Sequence, residues 1–226
     1  PAPSLAGLDP GGFPVRIERV VGAPDESLLT EAAACIAGGG TLIFPTDTVY
    51  GIGCGAEDDR AVETIFEAKR RPADKPLAVH LGSPERVDRY SSRISPAARA
   101  LMERFWPGPL TIIFERRHGV CAAAARGGDT LALRCPDDDV CRAILEATGP
   151  LAATSANISG AAPYDGGDDV SALPDATLAI IAGQTKMRRE STVLNCSGAS
   201  VRVVRAGALD VARIAEAIVD IAPLVR

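Results

Sequence analysis

Three common nucleotide and metal signatures are absent from this chain of 226 residues. No G-x-x-x-x-G-K-[ST] segment is present, because Gly38-Gly39-Gly40 is followed by Thr41-Leu42, and no G-x-G-x-x-G follows an apolar strand pattern. The six cysteines form no C-x-x-C pair, which disfavours a structural zinc site. Phosphates would therefore have to be held by side chains outside these motifs.

Long apolar runs and aromatic residues are also scarce. No apolar stretch approaches the ~20 residues that a membrane-spanning helix needs, and no basic flank precedes an apolar segment at the N-terminus. We therefore predict a cytoplasmic protein without membrane contact. Aromatic residues make up 4% of the chain against 46% hydrophobic residues, so Ala, Val, Leu and Ile must build the core. The cysteines are typical of small buried hydrophobic residues in a reducing compartment.

The charge balance is acidic overall but locally basic. A net charge of −5 disfavours long-range attraction of nucleic acid, which leaves at most a weak RNA contact. Four cations nevertheless occur within residues 69–75, next to the stiff turns of Pro72 and Pro76. Among them, Lys69, Arg71 and Lys75 are the leading candidates to bind phosphate. A cation at the end of a helix also interacts favourably with the helix dipole, which is the structural alternative.

Apolar spacing indicates a single α/β domain. Residues 1–14 are rich in Pro and Gly and are predicted to be a flexible leader, and residues 15–226 to be one domain. The pattern predicts helices over 25–37, 58–69, 95–105, 137–148 and 210–221. It predicts strands over 41–44, 77–81, 110–114, 130–134, 151–154, 177–181, 192–196 and 201–205. Their uneven alternation favours a twisted mixed sheet covered by helices.

Small polar residues follow several of these strands. Thr154-Ser155-Ala156-Asn157, Ser191-Thr192 and Arg205 lie at strand ends, where α/β sheets place ligand loops, although a helix cap would also explain the first group. His80 is interpreted either as a hydrogen-bonded core imidazole or as a substrate contact, and His118 receives no role. No Ser-His-Asp order or close carboxylate pair is readable, so no catalytic residue is assigned.

Five spaced motifs resemble those of the YrdC family. They are P-T-D-T-V-Y-G-I at 45–52, K-R-R-P at 69–72, W-P-G-P-L-T at 106–111, S-A-N-I-S-G at 155–160 and S-T-V at 191–193. The resemblance covers about residues 25–220. It implies one α/β domain around a deep basic cavity. It also implies a nucleotidyltransferase that condenses L-threonine, bicarbonate and ATP into threonylcarbamoyl-AMP, releases pyrophosphate, and supplies partner proteins that modify tRNA.

The resemblance also implies two groups of binding residues. With Mg²⁺, ATP would contact Lys69, Arg71, Lys75, Thr130, Ser155, Asn157 and Arg205. Threonine would contact Thr46, Tyr50, His80, Arg134, Thr154 and Ser191. No side chain is assigned to a metal. The chain departs from the family pattern at Ala182-Gly183-Gln184, where relatives often carry Asp-Gly-Gly, in the basic run 186–189, at Asp138 or Asp139, where a histidine is usual, and at Ala206, where R-P-G is common.

Two alternative functions remain open from the sequence. Similar domains occur in carbamoyltransferases that make carbamoyl-adenylate from carbamoyl phosphate, although those proteins carry additional domains. A non-catalytic RNA-binding module is the other alternative, which the acidic net charge and the few aromatic residues disfavour.

Overall fold

Short apolar segments form a mixed β-sheet in the computed structural model, which describes residues 15–171 and 173–221. Within these residues the strands are β1 (Arg16–Arg19), β2 (Leu42–Phe44), β3 (Gly51–Gly55), β4 (Ala78–His80), β5 (Ser91–Arg93), β6 (Leu110–Arg116), β7 (Thr130–Arg134), β8 (Leu151–Ser155), β9 (Leu178–Ile181), β10 (Thr192–Asn195) and β11 (Arg202–Arg205). Their order is β1-β9-β2-β3-β8-β4-β7-β6-β10-β11, and β5 pairs with β6. The sheet contains parallel pairs such as β4 with β7 and antiparallel pairs such as β8 with β4, so the predicted mixed sheet is confirmed.

Helices pack on both faces of the sheet. They are α1 (Glu26–Ala37), α2 (Asp59–Lys69), α3 (Val87–Tyr90), α4 (Pro96–Phe105), α5 (Asp139–Thr148) and α6 (Val211–Ile221), with a 3₁₀ turn at Pro84–Arg86. Side chains alternate across each strand. Leu42 and Phe44 of β2 therefore join a core cluster with α1 and α5, whereas Ile43 joins a second cluster with α2, α4 and α6. We call the first side the α1/α5 face.

Helix boundaries follow the local signals in the sequence. The carboxylate of Asp25 accepts a hydrogen bond from the amide of Leu28 at 2.8 Å, and Asp58, Ser95 and Asp138 cap later helices in the same way. Helix α2 is followed by its C-cap residue Arg70, whose φ of 50° is left-handed, a conformation more commonly taken by glycine. The turn separates Lys69, the last helical residue, from Arg71 in the following loop.

The predicted elements are found within two residues of their expected ends. The sequence did not predict β1, β5, α3 or β3. Strand β3 has three glycines in five residues, which is unfavourable for a strand in isolation. Its neighbours leave little room for a side chain at Gly53, because a Cβ there would lie 3.0 Å from the Cβ of Ala153 and 3.1 Å from the Phe44 ring. Pairing with β2 and β8 therefore decides the conformation.

Two expectations concern the chain as a whole. The predicted leader, residues 1–14, lies outside the described residues. Among the described residues, no helix combines the length and the apolar character needed to cross a bilayer. All six cysteines are free thiols and five of them are buried, as the sequence predicts.

Candidate functional site

A cavity of about 360 Å³ lies on the α1/α5 face, over strands β8, β4, β7, β6, β10 and β11. Three alanines on adjacent strands create space for it. Ala78 of β4 stands directly opposite Ala132 of β7 and Ala153 of β8, and all three line the cavity. Because a row of alanines fills little volume, the sheet is left with a concave surface at this point.

Arg134, at the end of β7, is the most buried cation of the cavity. It is 4% exposed, and its Nη2 donates to Oδ1 of Asp47 at 2.5 Å. Its Nη1 donates to the hydroxyl of Thr48 at 2.7 Å, and its Nε donates to the carbonyl oxygen of Gly108 at 3.2 Å. We call Arg134 and Asp47 the inner pair. A guanidinium has five N–H donors, so this arrangement leaves donors for a ligand.

The loop between β2 and β3 carries hydroxyl groups to the cavity. The hydroxyl of Thr46 donates to the carbonyl oxygen of Val49 at 2.6 Å and accepts from the amide of Thr48 at 3.1 Å. Since the Thr46 proton is used in this way, the Thr48 hydroxyl is the donor in their 3.0 Å contact. The chain of hydrogen bonds fixes both hydroxyls beside the Arg134 guanidinium.

The segment 184–190, which departs from the family pattern, is anchored on the same loop. The hydroxyl of Thr185 donates to the carbonyl oxygen of Thr48 at 2.8 Å. The amide of Met187 donates to the carbonyl oxygen of Asp47 at 2.9 Å. Just before it, the buried hydroxyl of Tyr50 donates to the Gly183 carbonyl oxygen at 2.7 Å. Burial raises the pKa of Tyr50 to about 12, so this phenol stays protonated and holds the segment in place.

His80 lies next to Arg134 on the neighbouring strand. The two residues are register partners, and the His80 ring contacts Phe44 edge-on, with their centroids 5.9 Å apart. Burial, followed by the charge of Arg134, lowers the pKa of His80 to about 3. The imidazole is therefore neutral at physiological pH. The residue lines the cavity, and its Nδ1 is buried without a hydrogen-bond partner.

Arg71 holds the loop between α2 and β4 against the cavity. Its Nε and Nη2 donate to the carbonyl oxygens of Lys75 and Pro76, each at 2.9 Å, and its Nη1 donates to the Thr154 hydroxyl at 3.3 Å. Burial lowers the pKa of Arg71, but an arginine stays charged at neutral pH. The predicted cluster therefore presents a fixed guanidinium and the exposed side chain of Lys75 to the cavity.

A second arginine and a carboxylate stand at the β10–β11 side of the cavity. Nη1 of Arg205 lies 2.9 Å from Oε2 of Glu190, and its Nη2 donates to the carbonyl oxygen of Ser191 at 2.9 Å. The hydroxyl of Ser191 contacts that of Thr111 at 2.8 Å. We call Arg205 and Glu190 the outer pair, because their side chains are 42% and 38% exposed.

Lys69 is enclosed rather than open to the cavity. The residue is 1% exposed, and its ammonium donates to the carbonyl oxygens of Ser155 and Asn157 and, at 3.2 Å, to Oδ1 of Asn157. Burial, and then the charge of Arg71, lowers the pKa of Lys69 to about 8. The ammonium thereby fastens the end of α2 to the loop that follows β8.

The structure brings most of the predicted binding residues to one cavity. The lining includes Arg71, Lys75, Ser155 and Arg205 from the predicted ATP group and all six from the threonine group: Thr46, Tyr50, His80, Arg134, Thr154 and Ser191. Lys69, Asn157 and Thr130 do not line it. The reason is direct for each: Lys69 and Asn157 bond to one another, and Thr130 is exposed opposite Glu115 at the other end of β7.

Sequence reasoning missed Asp47, Glu190 and the alanine row. Asp47 was within a recognised motif, but nothing in the motif indicated that it neutralises a buried arginine. Each of the three alanines lies two positions before a polar residue at the end of its strand, and therefore on the same face of the sheet. This pattern is a usable signal for a concave sheet surface.

Charge in the cavity is partly balanced. Of the described residues, four cations line it, Arg71, Lys75, Arg134 and Arg205, against the carboxylates of Asp74 and Glu190. Within residues 15–171 and 173–221, no three acidic, cysteine or histidine side chains converge closely enough to hold a metal ion by themselves. The arrangement suits an anion that brings its own cation.

Comparison with known proteins relates this geometry to a family. A family model for Sua5, YciO and YrdC proteins, described as "Telomere recombination", matches residues 34–207. The threonylcarbamoyl-AMP synthase of Pyrococcus abyssi is 37% identical over 193 residues, 84% of this chain and 57% of that protein. That of Bacillus subtilis is 36% identical over 185 residues, 80% of this chain and 54% of that protein. The chain thus spans little more than half the length of these relatives.

A solved structure agrees with the sequence comparison. The crystal structure of P. abyssi Sua5 complexed with L-threonine matches with a TM-score of 0.83 at 36% identity, over 89% of this chain and 60% of that one. Because the family model covers more than half of the chain, and both relatives exceed 30% identity over at least 80% of it, the chain belongs to the Sua5/YciO/YrdC family.

Proposed function

We propose that this protein is a threonylcarbamoyl-AMP synthase, a nucleotidyltransferase that uses L-threonine, bicarbonate and ATP. The amine of threonine adds to CO₂ formed from bicarbonate, and a carbamate oxygen then attacks the α-phosphorus of ATP. The bond from that phosphorus to the bridging oxygen breaks, and pyrophosphate leaves. The products are threonylcarbamoyl-AMP, pyrophosphate and water. The names of the two relatives and the threonine complex of P. abyssi Sua5 support this assignment.

The observation that carries the proposal is the convergence of all five motif segments in one cavity. Residues from 46–51, Arg71, Thr111, Ser155 and Ser191 all line it. The cavity can therefore bind an amino acid and a nucleotide next to each other. The remaining donors of Arg134 suit an amino acid carboxylate, and Arg71 and Arg205 suit phosphate oxygens.

Positioning and charge neutralisation account for the chemistry in this proposal. The remaining N–H donors of Arg134 bind the threonine carboxylate, and the neutral His80 lies beside them in the cavity wall without adding a charge. This orients the carbamate oxygen toward the α-phosphorus, and orientation contributes strongly to two-substrate reactions. Arg71, Lys75 and Arg205 stabilise the charge that develops on the phosphates.

Three of the predicted ATP residues act indirectly or not at all in this scheme. Lys69 and Asn157 shape the 155–157 loop that presents Ser155 to the nucleotide. Thr130 has no part in it. Magnesium bound with ATP would neutralise phosphate charge, and one of the two carboxylates of the lining, Asp74 or Glu190, would be chemically suited to hold it.

The product is passed to partner proteins that transfer the threonylcarbamoyl group to tRNA adenosine. We place this reaction in the cytoplasm, which the six free thiols support. An RNA contact would be weak, given the acidic chain.

Pyrophosphate release tests the proposal. The protein is incubated with ATP and Mg²⁺, and pyrophosphate is measured with and without L-threonine and bicarbonate. We expect release to require both. Release that is indifferent to them contradicts the proposal, whereas release supported by carbamoyl phosphate instead identifies a carbamoyltransferase. Tight RNA binding with a steep salt dependence and no ATP binding identifies an RNA-binding module.

A further inference from the structure

Glu190 places a negative charge where the proposed reaction needs positive charge. Its carboxylate lies 2.9 Å from the Arg205 guanidinium, in the lining of the cavity that also holds Arg71 and Lys75. A phosphate group that binds Arg205 must therefore come close to the carboxylate. The phosphate and the carboxylate are both negatively charged and repel each other. In a partly buried cavity this repulsion weakens the binding of the phosphate considerably.

The backbone of Glu190 is held in place. Its carbonyl oxygen accepts a hydrogen bond from the amide of Ala208 at 2.8 Å. A Cβ built on Gly207 would lie 2.4 Å from that same oxygen, so the two segments are in close contact. The following residue is held too, because Ser191 bonds to Arg205 and Thr111. Movement of the whole segment is therefore an unfavourable way to remove the carboxylate from the cavity.

A divalent cation converts this repulsion into attraction. Mg²⁺ is usually bound by one or two carboxylates together with substrate phosphates, and it retains several waters. The described residues contain no preformed three-ligand metal site, so a cation here must be shared with the nucleotide. Space for its waters is present, because Glu190 and Val49 also line an adjoining cavity of about 260 Å³.

The adjoining cavity differs from the main one in its charged groups. Arg188 and Arg189 line it, and Arg188 is paired with Asp165 at 2.8 Å. Glu190 is the one carboxylate among the described residues that lines both cavities. Asp74, the other carboxylate of the main cavity, stands in the exposed loop after α2. Glu190 is thus better placed than Asp74 to meet a hydrated cation beside the phosphates of a nucleotide bound to Arg205.

We propose that Glu190 is the protein's ligand for the divalent cation that accompanies ATP. The inference rests on the proposed function, since it assumes that ATP binds in this cavity. Arg205 then exchanges Glu190 for a phosphate oxygen, and the carboxylate is taken up by the cation. Without the cation, the same carboxylate opposes the binding of free ATP.

Calorimetric titration of ATP with Mg²⁺ or with EDTA tests the proposal. In the wild type, Mg²⁺ should tighten ATP binding strongly. In Glu190→Gln, whose amide still accepts a hydrogen bond from Arg205, that gain should shrink by at least about fivefold, the lower range of coupling between linked sites. Free ATP should bind this variant at least as tightly as it binds the wild type. Asp74→Asn is the matched control and should retain the wild-type gain from Mg²⁺.

Three results would overturn the proposal. One is that Glu190→Gln changes the ATP affinity by the same factor in the titrations with Mg²⁺ and with EDTA. Glu190 would then be only the counter-ion of Arg205. Another is loss of the Mg²⁺ gain in Asp74→Asn instead. If Glu190→Gln fails to fold, Glu190→Ala and Mn²⁺ relaxation measurements on the ATP complex replace it, and unchanged Mn²⁺ binding in Glu190→Ala is the third contrary result. Absence of ATP binding to the wild type in both titrations overturns the proposed function itself, and this inference with it.

Discussion

The cavity contains two arginine–carboxylate pairs of the same chemistry in different surroundings. In the inner pair, the Arg134 and Asp47 side chains are 5% and 2% exposed. In the outer pair, the Arg205 and Glu190 side chains are 42% and 38% exposed. Arg134 also bonds to Thr48 and Gly108, whereas Arg205 bonds to the backbone of Ser191.

Burial gives the two pairs different roles. Separating a buried pair leaves a charge without water, which is strongly unfavourable. Separating an exposed pair costs little, because water and salt replace the partner. The inner pair is therefore a fixed part of the cavity, and the outer pair can exchange partners when a ligand arrives.

Neutralising Asp47 should give the largest loss of stability. Asp47→Asn leaves the buried Arg134 without its counter-charge, so the free energy of unfolding should fall by about 3 to 5 kcal/mol. Urea denaturation followed by circular dichroism measures this. The equivalent change in the outer pair, Glu190→Gln, should lower the free energy of unfolding by about 0 to 1 kcal/mol. Equal losses in the two variants would contradict the distinction between the pairs.

A second contrast separates two neighbouring cations, Lys69 and Arg71. Lys69→Met leaves the oxygens of Ser155 and Asn157 without their charged donor, so the free energy of unfolding should fall by about 2 to 3 kcal/mol. Arg71→Ala should instead weaken ATP binding by about 1.5 to 3 kcal/mol, because it removes a charge-assisted hydrogen bond to phosphate.

Urea denaturation and calorimetric ATP titration of both variants check this contrast. An Arg71→Ala variant with wild-type ATP affinity would remove Arg71 from the binding site. A Lys69→Met variant of wild-type stability would show that its buried contacts contribute nothing.

A third expected effect, smaller than the loss in Asp47→Asn, is a pH dependence of stability that comes from His80. Its folded-state pKa of about 3 lies below the unfolded value of 6.5, so the unfolded chain binds more protons between these pH values. The stability that His80 contributes is present above pH 6.5 and is lost as pH falls. Between pH 7.5 and pH 5, protonation of His80 in the unfolded chain should lower the free energy of unfolding of the wild type by about 2 kcal/mol. His80→Gln should remove this decrease.

Urea denaturation at the two pH values, compared between variant and wild type, isolates this contribution from that of the carboxylates. His118→Gln, at an exposed position, is the control and should follow the wild type. A wild-type pH dependence in His80→Gln would mean that this imidazole is protonated in the folded protein.

Local signals predicted most elements of the fold. Helical spacing and caps such as Asp25 and Asp58 located α1 and α2, because a helix satisfies its hydrogen bonds locally. Strand β3 escaped prediction because its glycines are unfavourable for an isolated strand, and only packing against Phe44 and against Ala153, which is far away in the sequence, accounts for them. Strand β1 escaped because an exposed strand at the sheet edge carries little apolar pattern.

The sequence alone determined which chemical groups this protein has, their order, and the alternation that makes a mixed sheet. A linear pattern contains that information because hydrophobic period and turn residues act over a few positions. Only the tertiary structure decided which charged groups are buried in fixed contacts and which remain open to a ligand. Arg134 became buried against Asp47, Lys69 became enclosed by Ser155 and Asn157, and Arg205 stayed half-exposed beside Glu190. Burial sets the dielectric surroundings of each charge, and burial arises from chain segments that are far apart in sequence.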